Sequence, residues 1–337
     1  MRAVPLIQID DNKNWQTILA EAVRDGHELL RLLQLEGSGL AAALGGDKQF
    51  PVLVPRPFIA LMNKGDEQDP LLRQVLGLQE EELQVPGYVT DPLGELPANV
   101  RPGVVHKYHG RVLLIAAGGC AVNCRYCFRR HFPYADNRIG RKQWQEALEY
   151  VAGNDSISEV ILSGGDPLLL DDAALSGLCK QIADIAHVRR LRIHSRVPVV
   201  IPQRITAELV SMLAQTRLQV SLVLHVNHPA EISSQLVRGL DSLRREGITL
   251  LNQSVLLQGV NDDPHVLCRL SEALFAAGVL PYYLHRLDHV QGAHHYALAH
   301  ERIAELYRYM KEHLPGYLLP RLVCEEAGQP HKTVLMV

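Results

Sequence analysis

The chain has 337 residues, of which 47% are hydrophobic and 21% charged, the balance of a globular protein and not of a disordered one. Its 34 basic and 37 acidic residues leave a formal charge of -3, so nucleic acid is not the expected ligand, because such binders carry a basic balance or stripe. The longest apolar stretch, residues 112–122, falls well short of the roughly 20 residues that cross a bilayer and reads as a buried strand. Residues 1–10 lack the zones of a signal peptide, so a cytoplasmic protein with no membrane segment is expected.

The first hundred residues are compositionally distinct. They hold a helical stretch over 15–35, a segment with Pro51, Pro55 and Pro57, a short helix near 71–78, and then turns. No repeat and no catalytic constellation is visible there. From residue 111 onward short β-branched runs alternate with amphipathic stretches. Strands are predicted over 112–117, 159–163, 190–194, 219–225, 249–256 and 280–285, and helices over 142–152, 172–186, 207–213, 235–246, 265–276 and 302–313. Strand followed by helix, about six times over, argues an α/β fold with a parallel sheet covered by helices and closed, or partly closed, as a barrel. In such sheets the site lies at the C-terminal ends of the strands, which is where the informative residues fall.

Cys120, Cys124 and Cys127 follow the first predicted strand in a CxxxCxxC spacing. Three thiolates in so short a loop can wrap one soft-metal centre, and three ligands on a cubane [4Fe-4S] cluster leave one iron open to a small chelating ligand. A zinc site needs a fourth partner, for which His131 is the candidate; three unrelated buried thiols are the plainest alternative. Ser163-Gly164-Gly165-Asp166-Pro167-Leu168 ends the second strand. Its glycines let backbone approach a ligand, and its acid can accept from an ammonium group; a plain turn is the alternative.

The chain has eight lysines. Lys107 and Lys332 stand out by context, while Lys13, Lys48, Lys64, Lys142, Lys180 and Lys311 read as surface residues. Lys107, Tyr108 and Arg111 are cations and a hydroxyl suited to a phosphate, or else a solvated strand entry. Cys179 and Cys268 fall in helical patterns and read as core. His285, His289, His294, His295 and His300 read as a polar loop after the sixth strand and not as a metal site.

The CxxxCxxC loop after a first strand, with Tyr126 before its third cysteine, resembles the radical S-adenosylmethionine (SAM) superfamily. The longer string over 120–134, CAVNCRYCFRRHFPY, is more narrowly similar to the lysine 2,3-aminomutase family, above all its shorter bacterial branch acting in elongation factor P modification. That resemblance implies a partial (βα)6 TIM-like barrel over 106–290, a mainly helical segment over 1–105 packing on it, and a C-terminal extension over 291–337. It also implies a [4Fe-4S] cluster on the three cysteines, SAM held by Tyr126, Gly164, Gly165, Asp166, His225 and Gln253, and pyridoxal 5′-phosphate (PLP) joined to Lys332 with Lys107, Tyr108 and Arg111 at its phosphate. Arg129 would take the substrate carboxylate, with Arg130 as the alternative. Asp288 and Glu325 would take the ammonium of a lysine substrate, with Glu326 next door also able to serve; Glu325 stands where larger members have Asp. Asp263 stands where those members carry a zinc-binding cysteine, so no structural zinc is expected.

By the same resemblance the reaction is an isomerisation of L-lysine to (R)-β-lysine, in which a 5′-deoxyadenosyl radical takes hydrogen from the β-carbon and PLP lets the nitrogen migrate. The implied partners are an electron-donating reductase, elongation factor P and its β-lysine ligase. An aminomutase for another amino acid is the near alternative, although Asp288 and Glu325 would repel glutamate. An electron-transfer Fe-S protein or a zinc-binding module is the alternative from another class.

Overall fold

The structure, a computed structural model, describes residues 13–46, 50–134 and 141–337; residues 1–10, Lys48 and the side chain of Lys142 lie outside them. Among the described residues ten strands form one sheet in chain order: β1 (Asn99–Arg101), β2 (Val104–Tyr108), β3 (Arg111–Ala117), β4 (Glu159–Gly164), β5 (Arg190–Ser195), β6 (Gln219–Leu224), β7 (Thr249–Val255), β8 (Leu280–His285), β9 (Arg321–Cys324) and β10 (Thr333–Val334). Neighbours from β3 to β9 run parallel. The pairs β1–β2, β2–β3 and β9–β10 are antiparallel. A parallel neighbour needs a crossover, and the helices Arg141–Ala152, Asp172–Ala183, Ala207–Gln215, Ser234–Arg245, Pro264–Ala276 and His300–His313 supply them. Val105, Ile161, Arg192, Leu251, Tyr283 and Val323, from six different strands, line one cavity. The sheet therefore curves around that space, and with β1 and β10 at its two ends it is a partial barrel.

The crossover helices begin where side chains can cap them. Asp171, Thr206, Ser233 and Asp263 each accept from the backbone N–H three residues on, which satisfies one of the orphan donors of a helix start. The helix Asp172–Ala183 buries Leu175, Leu178, Cys179 and Ile182, the spacing of one helical face. That stripe packs on the outward residues of the strands, such as Leu162, Leu191 and Ile193, all fully buried in one core with Trp15, Leu29, Phe58 and Leu71 of the N-terminal segment. Inward residues are of another kind: Arg111, Glu159, Arg192 and Ser221 face the cavity, with Arg192 and Glu159 paired at 3.0 Å.

Several expectations need correction. The helical stretch over 15–35 is two helices, Trp15–Ala20 and Gly26–Leu32, because Val23 pairs with Val54 as a β-bridge and Asp25 caps the second helix. The helix near 71–78 is the single turn Pro70–Arg73, capped by Asp69. The apolar run over 112–122 is strand only to Ala117; Gly118 and Gly119 end it, and the remainder begins the cysteine loop. Lys107 and Tyr108 do not merely precede the first strand but lie on the antiparallel β2.

Candidate active site

The cysteine loop is held from two sides. Toward the sheet, Gly165 donates to the carbonyl of Ala117 at 2.8 Å and Asp166 N–H to that of Gly119 at 2.7 Å. A Cβ on Gly165 would stand 2.0 Å from the Gly119 carbonyl oxygen, and Gly164 has φ +116°, so this pair of loops closes only on glycine. Toward the N-terminal segment, Arg125 N–H donates to Gln74 at 2.9 Å and Asn123 N–H to Leu53 at 3.1 Å. Below them Glu81 takes Arg125 at 2.8 and 2.5 Å and Arg130 at 2.7 Å, all three side chains buried.

The thiols of Cys120, Cys124 and Cys127 line the cavity. Burial first, then the neighbouring thiols, pushes Cys127 up to about 11 and Cys120 well above the usual range. Arg196 Nη1 stands 2.7 Å from Cys124 Sγ. Among the described residues no three His, Cys, Asp or Glu side chains converge on a single-ion position. A cubane takes each thiolate on a different iron, so three soft donors spread along one cavity wall, beside a fixed cation, fit that cluster.

Asp166 occupies the expected loop in an unexpected role. Its carboxylate accepts from Ser195 Oγ and Arg196 N–H at 2.7 Å, Leu168 N–H at 3.0 Å and Val197 N–H at 3.1 Å. Four donors fill its acceptor sites, which corrects the expectation that it would receive a ligand ammonium: it ties the loop after β4 to the end of β5. Burial raises it to about 6 against those bonds. Tyr126 is fixed by its hydroxyl, which accepts from Arg196 at 2.6 Å and Asn227 at 2.7 Å. Arg196 in turn donates to Gln74 at 2.7 Å and Glu231 at 3.0 Å.

A second network of alternating charge runs across the cavity wall. Lys332 Nζ lies 2.5 Å from Glu325 Oε2, and Lys107 Nζ 2.9 Å from Glu325 Oε1. Lys107 also approaches Glu95 at 3.9 Å, and Glu95 binds Arg129 through both oxygens, at 2.6 and 2.7 Å. Burial raises the Glu325 carboxyl, but Lys332 and Lys107 outweigh it and hold it at about 2. Tyr108 lies against the same carboxylate, and burial and that charge raise its hydroxyl far above its ordinary value. The Arg111 guanidinium stacks 4.6 Å over the Tyr108 ring.

Asp288 differs. No described residue hydrogen-bonds its carboxylate, and burial, then Glu325, raise it to about 7. Glu325, expected beside it as a receiver of substrate ammonium, is instead occupied by the two lysines. Glu326 points elsewhere, accepting from Thr333 at 2.6 Å on the surface. Arg130, the alternative to Arg129, is spent on Glu81.

The residues expected to hold the cluster, SAM and PLP, together with Arg129, Asp288 and Glu325, all line one cavity of about 790 Å³, within the roughly 300–1,000 Å³ of ligand pockets. Gln253 meets His225 at 3.2 Å. His194 and His285 line it too, each with a buried Nε2 lacking a hydrogen-bond partner. Burial, then nearby cations, lowers His225 to about 3 and His194 and His285 well below the usual imidazole range. Burial thus favours the neutral form of all three rings. Glu81, Glu95, Gln74 and Arg196 escaped the sequence reading, which saw no constellation in the first hundred residues. The one signal was Glu95 in Asp91-Pro92-Leu93-Gly94-Glu95, a turn whose acid has no reason to be buried.

Residues 114–270 match the Radical SAM superfamily. A Haemophilus influenzae protein described as L-lysine 2,3-aminomutase is 49% identical over 326 residues, 97% of this chain and 96% of its own. An Escherichia coli protein so described is 50% identical over 336 residues, 99% and 98% of the two chains. One from Buchnera aphidicola is 40% identical over 327 residues, 97% and 96%. With its thiol loop, its half-buried lysine pair and that near full-length likeness, the chain belongs to the lysine 2,3-aminomutase family of the radical SAM superfamily.

Proposed function

We propose that this chain converts (S)-α-lysine to (R)-β-lysine, with a [4Fe-4S] cluster, SAM and PLP as cofactors. The observation that carries the reading is a single cavity whose wall holds three thiols, a lysine amine against a carboxylate, and the unpaired carboxylate of Asp288; relatives described by that activity support it. When bound, the cluster and SAM supply one-electron chemistry at an unactivated carbon, and PLP supplies a carrier for the migrating nitrogen.

The chain's own residues bind and orient. Cys120, Cys124 and Cys127 hold the cluster, and the Gly164-Gly165 backbone, Tyr126, His225 and Gln253 border SAM, with Asp166 shaping the loop. Lys332 offers the amine that joins PLP, and Lys107, Tyr108 and Arg111 form the cation and hydroxyl group suited to its phosphate. Arg129 takes the α-carboxylate of the substrate, and Asp288 its side-chain ammonium. Leu113, Ile161 and Leu251 on the cavity wall keep water from the reacting atoms. A glutamate substrate would place a second carboxylate against Asp288, so a cationic side chain is favoured.

Anaerobic reconstitution with iron, sulfide, SAM, PLP, a reductant and a panel of amino acids tests the reading. β-Lysine from lysine alone is the expected product by mass spectrometry; cleavage of SAM with no rearranged amino acid overturns the aminomutase assignment. The pH dependence adds a sharper check. A carboxyl at about 7 loses its charge as pH falls through that value, so KM for lysine should climb about tenfold per pH unit below it. In Asp288→Asn the KM should be high and flat over the same range.

The likeness to the short bacterial branch extends the proposal: a separate reductase supplies the electron, and a ligase attaches the product to elongation factor P in the cytoplasm. Loss of the protein should leave that factor lighter by the β-lysyl group in intact-mass spectra, and supplied β-lysine should restore it. Among the described residues no helix is long and apolar enough to cross a membrane.

A further inference from the structure

We infer that Glu95 is a positioning residue, which sets the Arg129 guanidinium so that its free edge faces the substrate carboxylate. The inference rests on the proposed role of Arg129. A guanidinium carries five N–H groups in a fixed plane. In Arg129, Nε donates to Glu95 Oε2 at 2.6 Å, Nη2 to Glu95 Oε1 at 2.7 Å, and Nη1 to Ser163 Oγ at 3.0 Å, with the Gly164 carbonyl at 3.5 Å. Glu95 therefore occupies the side edge, Nε and Nη2. One N–H remains on Nη2, and one on Nη1 is held only by the long contact to Gly164. The free Nη2 hydrogen belongs to the end edge of the fork, where together with an Nη1 hydrogen it can meet a carboxylate bidentately.

Glu95 does not yield its place to substrate. It is 4% exposed, and displacing it would strand a buried carboxylate whose nearest other cation is Lys107 at 3.9 Å, a costly state. The chain is bent to bring it there. Gly94 takes φ +60°, and the Asp91 carboxylate accepts from the N–H of Glu95 at 2.9 Å and of Leu96 at 3.1 Å, which fixes the turn that points Glu95 inward. Phe128 packs 4.8 Å from the guanidinium carbon, so the plane of Arg129 is set by Glu95 on one edge and by a ring on its face.

The test compares two ligands on the cofactor-loaded protein without reductant, where no turnover occurs: L-lysine and 1,5-diaminopentane, which lacks only the carboxylate. Equilibrium dialysis gives each Kd. Glu95→Gln should raise the Kd of lysine about 10- to 100-fold, the scale of a misplaced binding group, and leave that of the diamine unchanged, with the KM for lysine raised more than kcat is lowered. A weakening of both ligands alike overturns the inference in favour of a general structural role. Arg129→Ala separates the two ideas: if it leaves the lysine-to-diamine ratio unchanged, the Arg129 reading fails; if it collapses that ratio while Glu95→Gln does not, only the role of Glu95 fails.

Discussion

Lys332→Ala should eliminate β-lysine formation while leaving iron content and reductive cleavage of SAM intact. Lys332 Nζ is the amine on the cavity wall paired with Glu325, 2.5 Å away, and the other cavity lysine, Lys107, is tied both to Glu325 at 2.9 Å and to the Leu93 carbonyl at 3.0 Å. A lysine with one anionic partner can be released to join an aldehyde; one braced by two acceptors is a fixed cation. The variant should therefore lose the visible absorbance of covalently held PLP, and added amines should not restore stoichiometric binding. Retained absorbance at the parent level would move the role to Lys107.

The same variant tests the electrostatics around Glu325. Its carboxyl lies at about 2 because Lys332 and Lys107 outweigh burial. A carboxylate held below its unfolded value stabilises the fold above that unfolded value, and the contribution is lost as pH falls toward about 2. Removing Lys332 takes away the larger opposing charge, so Glu325 should titrate at higher pH, and acid unfolding should begin earlier than in the parent. Were the Lys332 amine to join PLP, Glu325 Oε2 would lose that partner while Glu325 Oε1 kept Lys107.

The barrel was legible because its signals are local. Strand ends fall at glycine and polar positions, crossover helices open on capping residues such as Asp171 and Ser233, and both follow from neighbours a few residues apart. The cysteine loop was legible for the same reason, its spacing being contained in eight residues. The partners of the charged residues were not. Arg129 meets a glutamate 34 residues upstream, and Lys107 meets one 218 residues downstream; nothing in either local sequence encodes such a meeting. Asp166 misled because a strand-end acid next to glycines has the right chemistry for a ligand ammonium, and only the approach of Ser195, Arg196 and Val197 shows its acceptor sites to be taken.

Glu81→Ala should cost the fold about 3–5 kcal/mol, the scale of breaking a buried ion pair from one side. Glu81 is the shared anion for Arg125 and Arg130, with all three side chains at 1% exposure or less. Its loss strands two buried cations, whose remaining acceptors are the carbonyls of Phe50, Arg125 and Gly292 and whose remaining aromatic contact is the Phe50 ring, 4.9 and 5.0 Å away. Both arginines belong to the cysteine loop, and Arg125 lies between Cys124 and Cys127. The stability loss should therefore come with a second effect that a distant core mutation of equal cost would not have: fewer irons retained per chain after reconstitution. A Leu162→Ala variant, expected to cost about 2–5 kcal/mol through a cavity on the outer face of β4, is the matched control. Equal iron in the two variants at equal stability would mean that the N-terminal segment supports the barrel without shaping the loop. Iron lost from Glu81→Ala alone would make that segment, through one carboxylate, part of what holds the thiols in place.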